Sequence, residues 1–189
     1  RLSLWLATLS RSKPLTFLDH HLAVGNSLVG ASLDDVTSRP PGRAGRPRRT
    51  GTLPLFDMDD IGQALARSLP LRYELANVPD DDVGAVREKE RTLTRLRTGQ
   101  SSLEVWRRLA DLWCAGWFWD APAGPLPSAA TFTDLAAAVR NASPSLPRAV
   151  IQNLLAHTQR IAREGRFFHW TLEFPEVFYQ GDGAPRADG

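Results

Sequence analysis

The stretch FLDHHLAVGNSLVG, residues 17–30, sets two kinds of chemistry side by side. Asp19, His20 and His21 offer one carboxylate and two imidazoles, all metal-ligating groups. Two or three adjacent ligands do not close a coordination shell, so a metal site would need further carboxylates from other strands. The other histidines have no metal-ligand spacing to this pair: His157 falls on an apolar helix stripe and His169 stands beside Trp170. We expect no metal. The second half reads as a short apolar strand running into Gly25-Asn26-Ser27-Leu28, which can face a nucleotide-like cofactor or simply turn the chain at a strand end.

A third group is cationic. SRPPGRAGRPRRTG, residues 38–51, sets five arginines among Pro and Gly with no acidic residue and almost nothing to bury, the composition of a mobile loop. Arg43, Arg46, Arg48 and Arg49 are the candidates for DNA backbone phosphates, with a solvated linker as the alternative. The net charge of the whole chain is only +2, so any attraction for a polyanion is local. No GxGxxG, P-loop, GxSxG or HExxH occurs, and no Ser or Cys stands near a His in a nucleophile-and-base setting. No catalytic residue is expected within these 189 residues.

The bulk composition is that of a globular chain, 42% hydrophobic and 23% charged. The longest apolar runs, LSLWLATL and DLWCAGWFW, fall far short of the roughly 20 residues that span a bilayer. With no secretory leader either, no membrane association and a cytoplasmic location are expected. A single cysteine, Cys114, excludes an internal disulfide and reads as a small buried hydrophobe. The chain starts on Arg and finishes in polar GDGAPRADG, and the expectation is a segment of a longer protein.

Positioning elements follow from periodicity. Residues 1–11 have helical spacing, and TFLDHHLAV then reads as a strand. From about residue 55 to 165 helix starts dominate: Asp57 before MDDIGQALARSL, the acidic PDDD before VGAVREKERTLTRLR, Ser101 with Glu104 before EVWRRLADLW, and Thr131 with Asp134 before LAAAVR. A fifth helix, PRAVIQNLLAHTQRIARE, places Val150, Ile151, Leu154, Leu155, Thr158 and Ile161 on one stripe. The charge-alternating VREKERTLTRLR must be mostly wet. Trp106, Leu109, Trp113 and Trp117 follow the spacing of a packed helix face, with base stacking as the less favoured use of these aromatics. RFFHWTLEFPEVFYQ returns to aromatic residues, with Pro175 restricting any strand to an edge or an end.

RLSLWLATLSRSKPLTFLDHHLAVGNSLVG, followed much later by FFHWTLEFPEVF, resembles the large adenine-specific DNA methyltransferases of restriction-modification and phage-defence systems, the type IIG-like and BREX-like class I methylases. The resemblance covers residues 1–30 and 167–178. It implies an α/β fragment of a Rossmann-like methyltransferase sheet interrupted by a long, mainly α-helical insertion, predominantly helical overall. Residues 1–30 would belong to the S-adenosylmethionine-binding core, 31–165 to the insertion with its Arg-rich loop at 38–51, and 166–189 to a return segment toward the catalytic strand. Asn26 stands where the family has Asp or Asn at a cofactor-binding strand end, with its carbonyl accepting from the adenine amino group. Gly25 would permit the turn beside the ligand and Leu28 would supply apolar contact.

The family's Gly-rich loop would precede Arg1, and its Asn-Pro-Pro-Tyr/Trp motif would follow Gly189. A segment lacking both is expected to be inactive alone. In the full-length protein the implied partners are double-stranded DNA and defence-system subunits. The alternative is a non-enzymatic helical module that touches DNA or a partner through the arginine loop and the charged helix.

Overall fold

The structure, a computed structural model, describes residues 3, 17–38, 58–79, 82–97, 102–120 and 124–187. The described residues are predominantly helical and contain no strand. The helices are α1 (Leu33–Ser38), α2 (Met58–Asn77), α3 (Val83–Arg97), α4 (Glu104–Ala115), α5 (Ala129–Val139), α6 (Arg148–Gly165), α7 (Trp170–Glu173) and α8 (Pro175–Phe178). The Rossmann-like sheet expected from the resemblance is not seen among them.

Several local expectations are revised. The described part of TFLDHHLAV is not a strand: Asp19–His21 form a single 3-10 turn in which His21 N–H donates to Leu18 O at 3.0 Å. The rings of Phe17 and His20, three residues apart, stack at 5.6 Å, which the turn permits and an extended chain would not. Helix α2, for which the sequence marks only a start, runs through Pro70 to Asn77. Proline removes one helical hydrogen bond, yet Leu69, Arg72 and Leu75 around it are all buried, and that packing carries the helix on. Helix α5 is capped by Ser128, whose Oγ accepts from Thr131 N–H at 3.2 Å. Asp134, the expected partner in a Thr131 cap, instead accepts from Ser145 N–H at 2.8 Å. Pro175 does not close a strand but opens α8 at its first turn, where a missing N–H costs nothing.

The chain divides into two compact units, each assembled from separate stretches: residues 1–24, 62–104 and 174–189, and residues 25–61 and 105–173. In the first, Phe17, Leu75, Leu93 and Leu96 form a buried cluster with Val86 against it. Asp82 caps α3 by accepting from Ala85 N–H at 2.9 Å, as its acidic approach suggests. Arg97, at the other end, donates to Asp19 O and Leu22 O, both at 2.8 Å. Tyr73 OH donates to Tyr179 O at 2.9 Å, and Arg72 pairs with Glu176 at 3.1 Å, tying α8 and the following residues to α2. In the second unit α5 and α6 pack on each other. Trp106, Leu109, Phe132, Leu135, Ile151, Ile161, Phe168 and Leu172 are buried there. Trp106 is thus core, whereas Trp117 is half exposed. On α6 the buried stripe takes in His157 and leaves Val150 41% exposed.

Candidate functional site

Within the second unit, the turn at residues 25–31 lies alongside residues 166–170. Asn26 N–H donates to Arg166 O at 2.6 Å and Phe168 N–H to Val29 O at 2.8 Å, with Asn26 and Phe167 in a parallel bridge. The Trp170 indole N–H donates to Ser27 O at 3.2 Å. Parallel neighbours require a long crossover connection, and here the intervening chain supplies it.

The glycines explain how closely the two stretches approach. A Cβ on Gly30 would stand 2.1 Å from the Phe168 carbonyl oxygen, and one on Gly25 would stand 2.6 Å from the Phe168 ring. Gly25, expected to free a turn for a ligand, is therefore also fixed by packing against Phe168.

His169 locks this arrangement from beneath. It is 1% exposed. Ala31 N–H donates to its Nδ1 at 3.1 Å, so the ring proton sits on Nε2, which faces Asp111 Oδ1 at 3.1 Å. Both nitrogens are thus used to fix backbone to α4. Sequence reasoning set His169 aside; the only available signal was a lone histidine among aromatics, the mark of a buried and satisfied ring.

On the outer side, the candidate cofactor residues are open. The Asn26 side chain is exposed, and its Oδ1 accepts from Leu28 N–H at 3.2 Å, a local side-chain turn. That oxygen has a second lone pair and the amide nitrogen two donors. Leu28 is 92% exposed. Gly25, Asn26 and Leu28 form one short edge next to the half-exposed Trp170. That edge exposes one side-chain amide and one apolar side chain and forms a single wall.

Other reactive groups of this unit are committed elsewhere. Burial, with the nearby charges of Asp111 and Asp35, pushes the Cys114 thiol up to about 12, so it is no nucleophile at neutral pH. Arg160 donates to both Asp120 oxygens, at 2.7 and 2.9 Å, and holds that carboxyl below its usual range. His157 Nε2 stands 2.8 Å from the same carboxylate without hydrogen-bond alignment, and Trp119 meets the His157 ring edge-on at 4.6 Å. In the first unit His20 and His21 lie against each other, ring centres 3.8 Å apart. Among the described residues no three His, Cys, Asp or Glu side chains gather as a metal site would require. No helix among them is long and apolar enough to cross a membrane. Arg43, Arg46, Arg48 and Arg49 lie outside the described residues.

Comparison of the chain with protein families, curated proteins and solved structures gives no match.

Proposed function

We propose that this chain is the segment of an S-adenosylmethionine-dependent DNA adenine methyltransferase lying between its cofactor-binding and catalytic motifs. One observation carries the reading. The two stretches that bear the family resemblance, GNSL and FFHW, run side by side in parallel, joined by the Asn26 to Arg166 and Phe168 to Val29 hydrogen bonds. Ala31 and His169, in the same pair of stretches, are 138 residues apart in sequence. An unrelated helical chain has no reason to bring those two stretches together in that direction.

The exposed Asn26 amide and Leu28 fit the adenine edge of the cofactor. When bound, S-adenosylmethionine supplies an electrophilic methyl group. The role of this chain is to hold one side of the adenine, with the amide oxygen accepting from the exocyclic amine and Leu28 covering the ring. Duplex DNA is the partner in the complete enzyme, with Arg43, Arg46, Arg48 and Arg49 on its phosphates. A location in the cytoplasm and a role in restriction-modification or phage defence follow from the same reading.

In the longer protein that this reading requires, Asn26→Ala should weaken S-adenosylmethionine binding about fivefold, the value of one hydrogen bond near 1 kcal/mol, with the fold unchanged. Calorimetry on wild type and variant measures it. The isolated 189-residue chain should bind the cofactor no better than weakly, having one wall of the pocket. Equal affinity for wild type and Asn26→Ala, or micromolar binding by the isolated chain, would overturn this assignment of Asn26.

A further inference from the structure

The turn at residues 25–31 contains no ionisable side chain, and in the stretch alongside it, 166–170, only Arg166 and His169 carry one. Arginine keeps its charge throughout. A response of these two stretches to protons therefore passes through His169.

The ring is placed to transmit one. It is buried, with Nδ1 accepting from Ala31 N–H at 3.1 Å and Nε2–H directed at Asp111 Oδ1 at 3.1 Å. Ala31 closes the turn and is itself buried, so its N–H lies away from solvent. A second proton can enter the ring only at Nδ1, where it converts an acceptor into a donor facing a donor. The Ala31 bond is then lost, and a buried donor left unpaired costs more than the bond was worth. Close packing leaves no room to re-aim the turn in place, because a Cβ on the neighbouring Gly30 would stand 2.1 Å from the Phe168 carbonyl oxygen.

The charges near the ring come from three elements. Asp111 reaches it from α4, and Asp35 on α1 acts together with Asp111 on the Cys114 thiol. On the side of α7, Glu173 N–H donates to His169 O, and the Glu173 carboxylate pairs with Arg107 of α4 at 3.1 Å. Asp111 can hold the ring whether or not it is charged, as a plain acceptor or as a counter-charge. Ala31 can hold it only while it is neutral.

We propose that His169 positions the turn bearing Asn26 and Leu28 only as a neutral imidazole, and that a proton taken up at Nδ1 releases the turn. On the methyltransferase reading, on which this rests for its ligand, the turn carries the cofactor edge, so acid also releases the cofactor.

The first measurement uses the 189-residue chain with no cofactor. NMR follows the ring nitrogens of His169 and the Ala31 amide from about pH 8 to about pH 5, the span in which imidazoles take their charge. Nδ1 should be unprotonated at neutral pH, and the Ala31 amide should move with the same midpoint as the ring while the amides of α6 stay protected from exchange. His169→Asn sets an amide oxygen where Nδ1 stood and cannot take a proton, so its Ala31 amide should hold still across the range. Asp111→Asn keeps an acceptor for Nε2–H but withdraws the counter-charge, and should move the transition to lower pH. A partner that only fills space would not move it. A ring that stays uncharged until α6 unfolds, an Ala31 amide indifferent to the ring's charge, or an Asp111→Asn transition at the same or higher pH would each overturn the proposal.

The second measurement is calorimetry with S-adenosylmethionine on the longer protein. Below the transition the wild type should lose at least the roughly fivefold in affinity expected for Asn26→Ala, since the whole edge is released. His169→Asn should bind equally across the range. A turn that opens in the first measurement with no loss of cofactor in the second would overturn the cofactor assignment and leave the release of the turn standing.

Discussion

Around Phe168 the second unit is held by backbone meeting backbone, whereas α3 in the first unit is held by a stripe of side chains. Val29 and Arg166 offer carbonyls to Phe168 and Asn26 across a gap that only glycine allows. Leu93 and Leu96 instead bury branched side chains against Phe17 and Leu75. The two regions should fail in opposite ways, one when atoms are added and the other when they are removed.

The largest effects expose that opposition. Gly30→Ala should destabilise by about 3 kcal/mol, the upper end for overpacking, because the clashing neighbour is a carbonyl whose own residue is pinned at 2.8 Å and cannot swing aside. Leu93→Ala should cost about the same by leaving a cavity, and Leu93→Met should restore most of it. Urea denaturation gives the magnitudes and hydrogen exchange shows which unit opens. A Gly30→Ala protein as stable as wild type would mean the two stretches are not in contact.

Next in size is the lock beneath the turn. His169→Ala removes a buried ring and leaves the Ala31 N–H without its acceptor, costing about 2–3 kcal/mol. Asp111→Asn keeps an acceptor for Nε2–H and loses only the charge assistance, about 1 kcal/mol. If both variants lost the same stability, His169 and Asp111 would be acting as an inseparable ion pair and not as a directional donor chain.

How much of this was legible follows the range of the interactions. The five long helices between residues 58 and 165 show in periodicity, since each buries a stripe of its own and Asp82 caps where an acidic residue must. The continuation of α2 past Pro70 was not legible, because proline is a local stop signal and the burial of Arg72 and Leu75 is a tertiary fact. The cap of α5 slipped by three residues because Ser128 and Thr131 both precede an acceptable helix start, and Ser145 had already claimed Asp134. The turn at 25–31 gave no periodic signal at all. Its partner lies beyond all the long helices, and neither stretch is long enough to alternate. Resemblance drew attention to both stretches, but the reason for Gly30 and the part played by His169 appear only once Phe168 is in place.

The smallest effect concerns Asp120, the surface carboxylate held by Arg160 in the second unit. The hydrogen bonds from Arg160 are the main reason its carboxyl titrates low, with the charges of Arg160 and His157 adding to them. A carboxyl depressed in the folded state stabilises the fold above its unfolded pKa, near 3.8, and loses that contribution as pH falls through the lower folded value. Asp120→Asn should therefore be slightly less stable than wild type at neutral pH, and the two should converge in acid. The carboxylate is at the surface, so salt should shrink the difference as well. Urea midpoints for both proteins between neutral pH and about pH 3 decide the sign. A difference that persists undiminished into acid would assign the role of residue 120 to packing against Trp119 and His157, not to its charge.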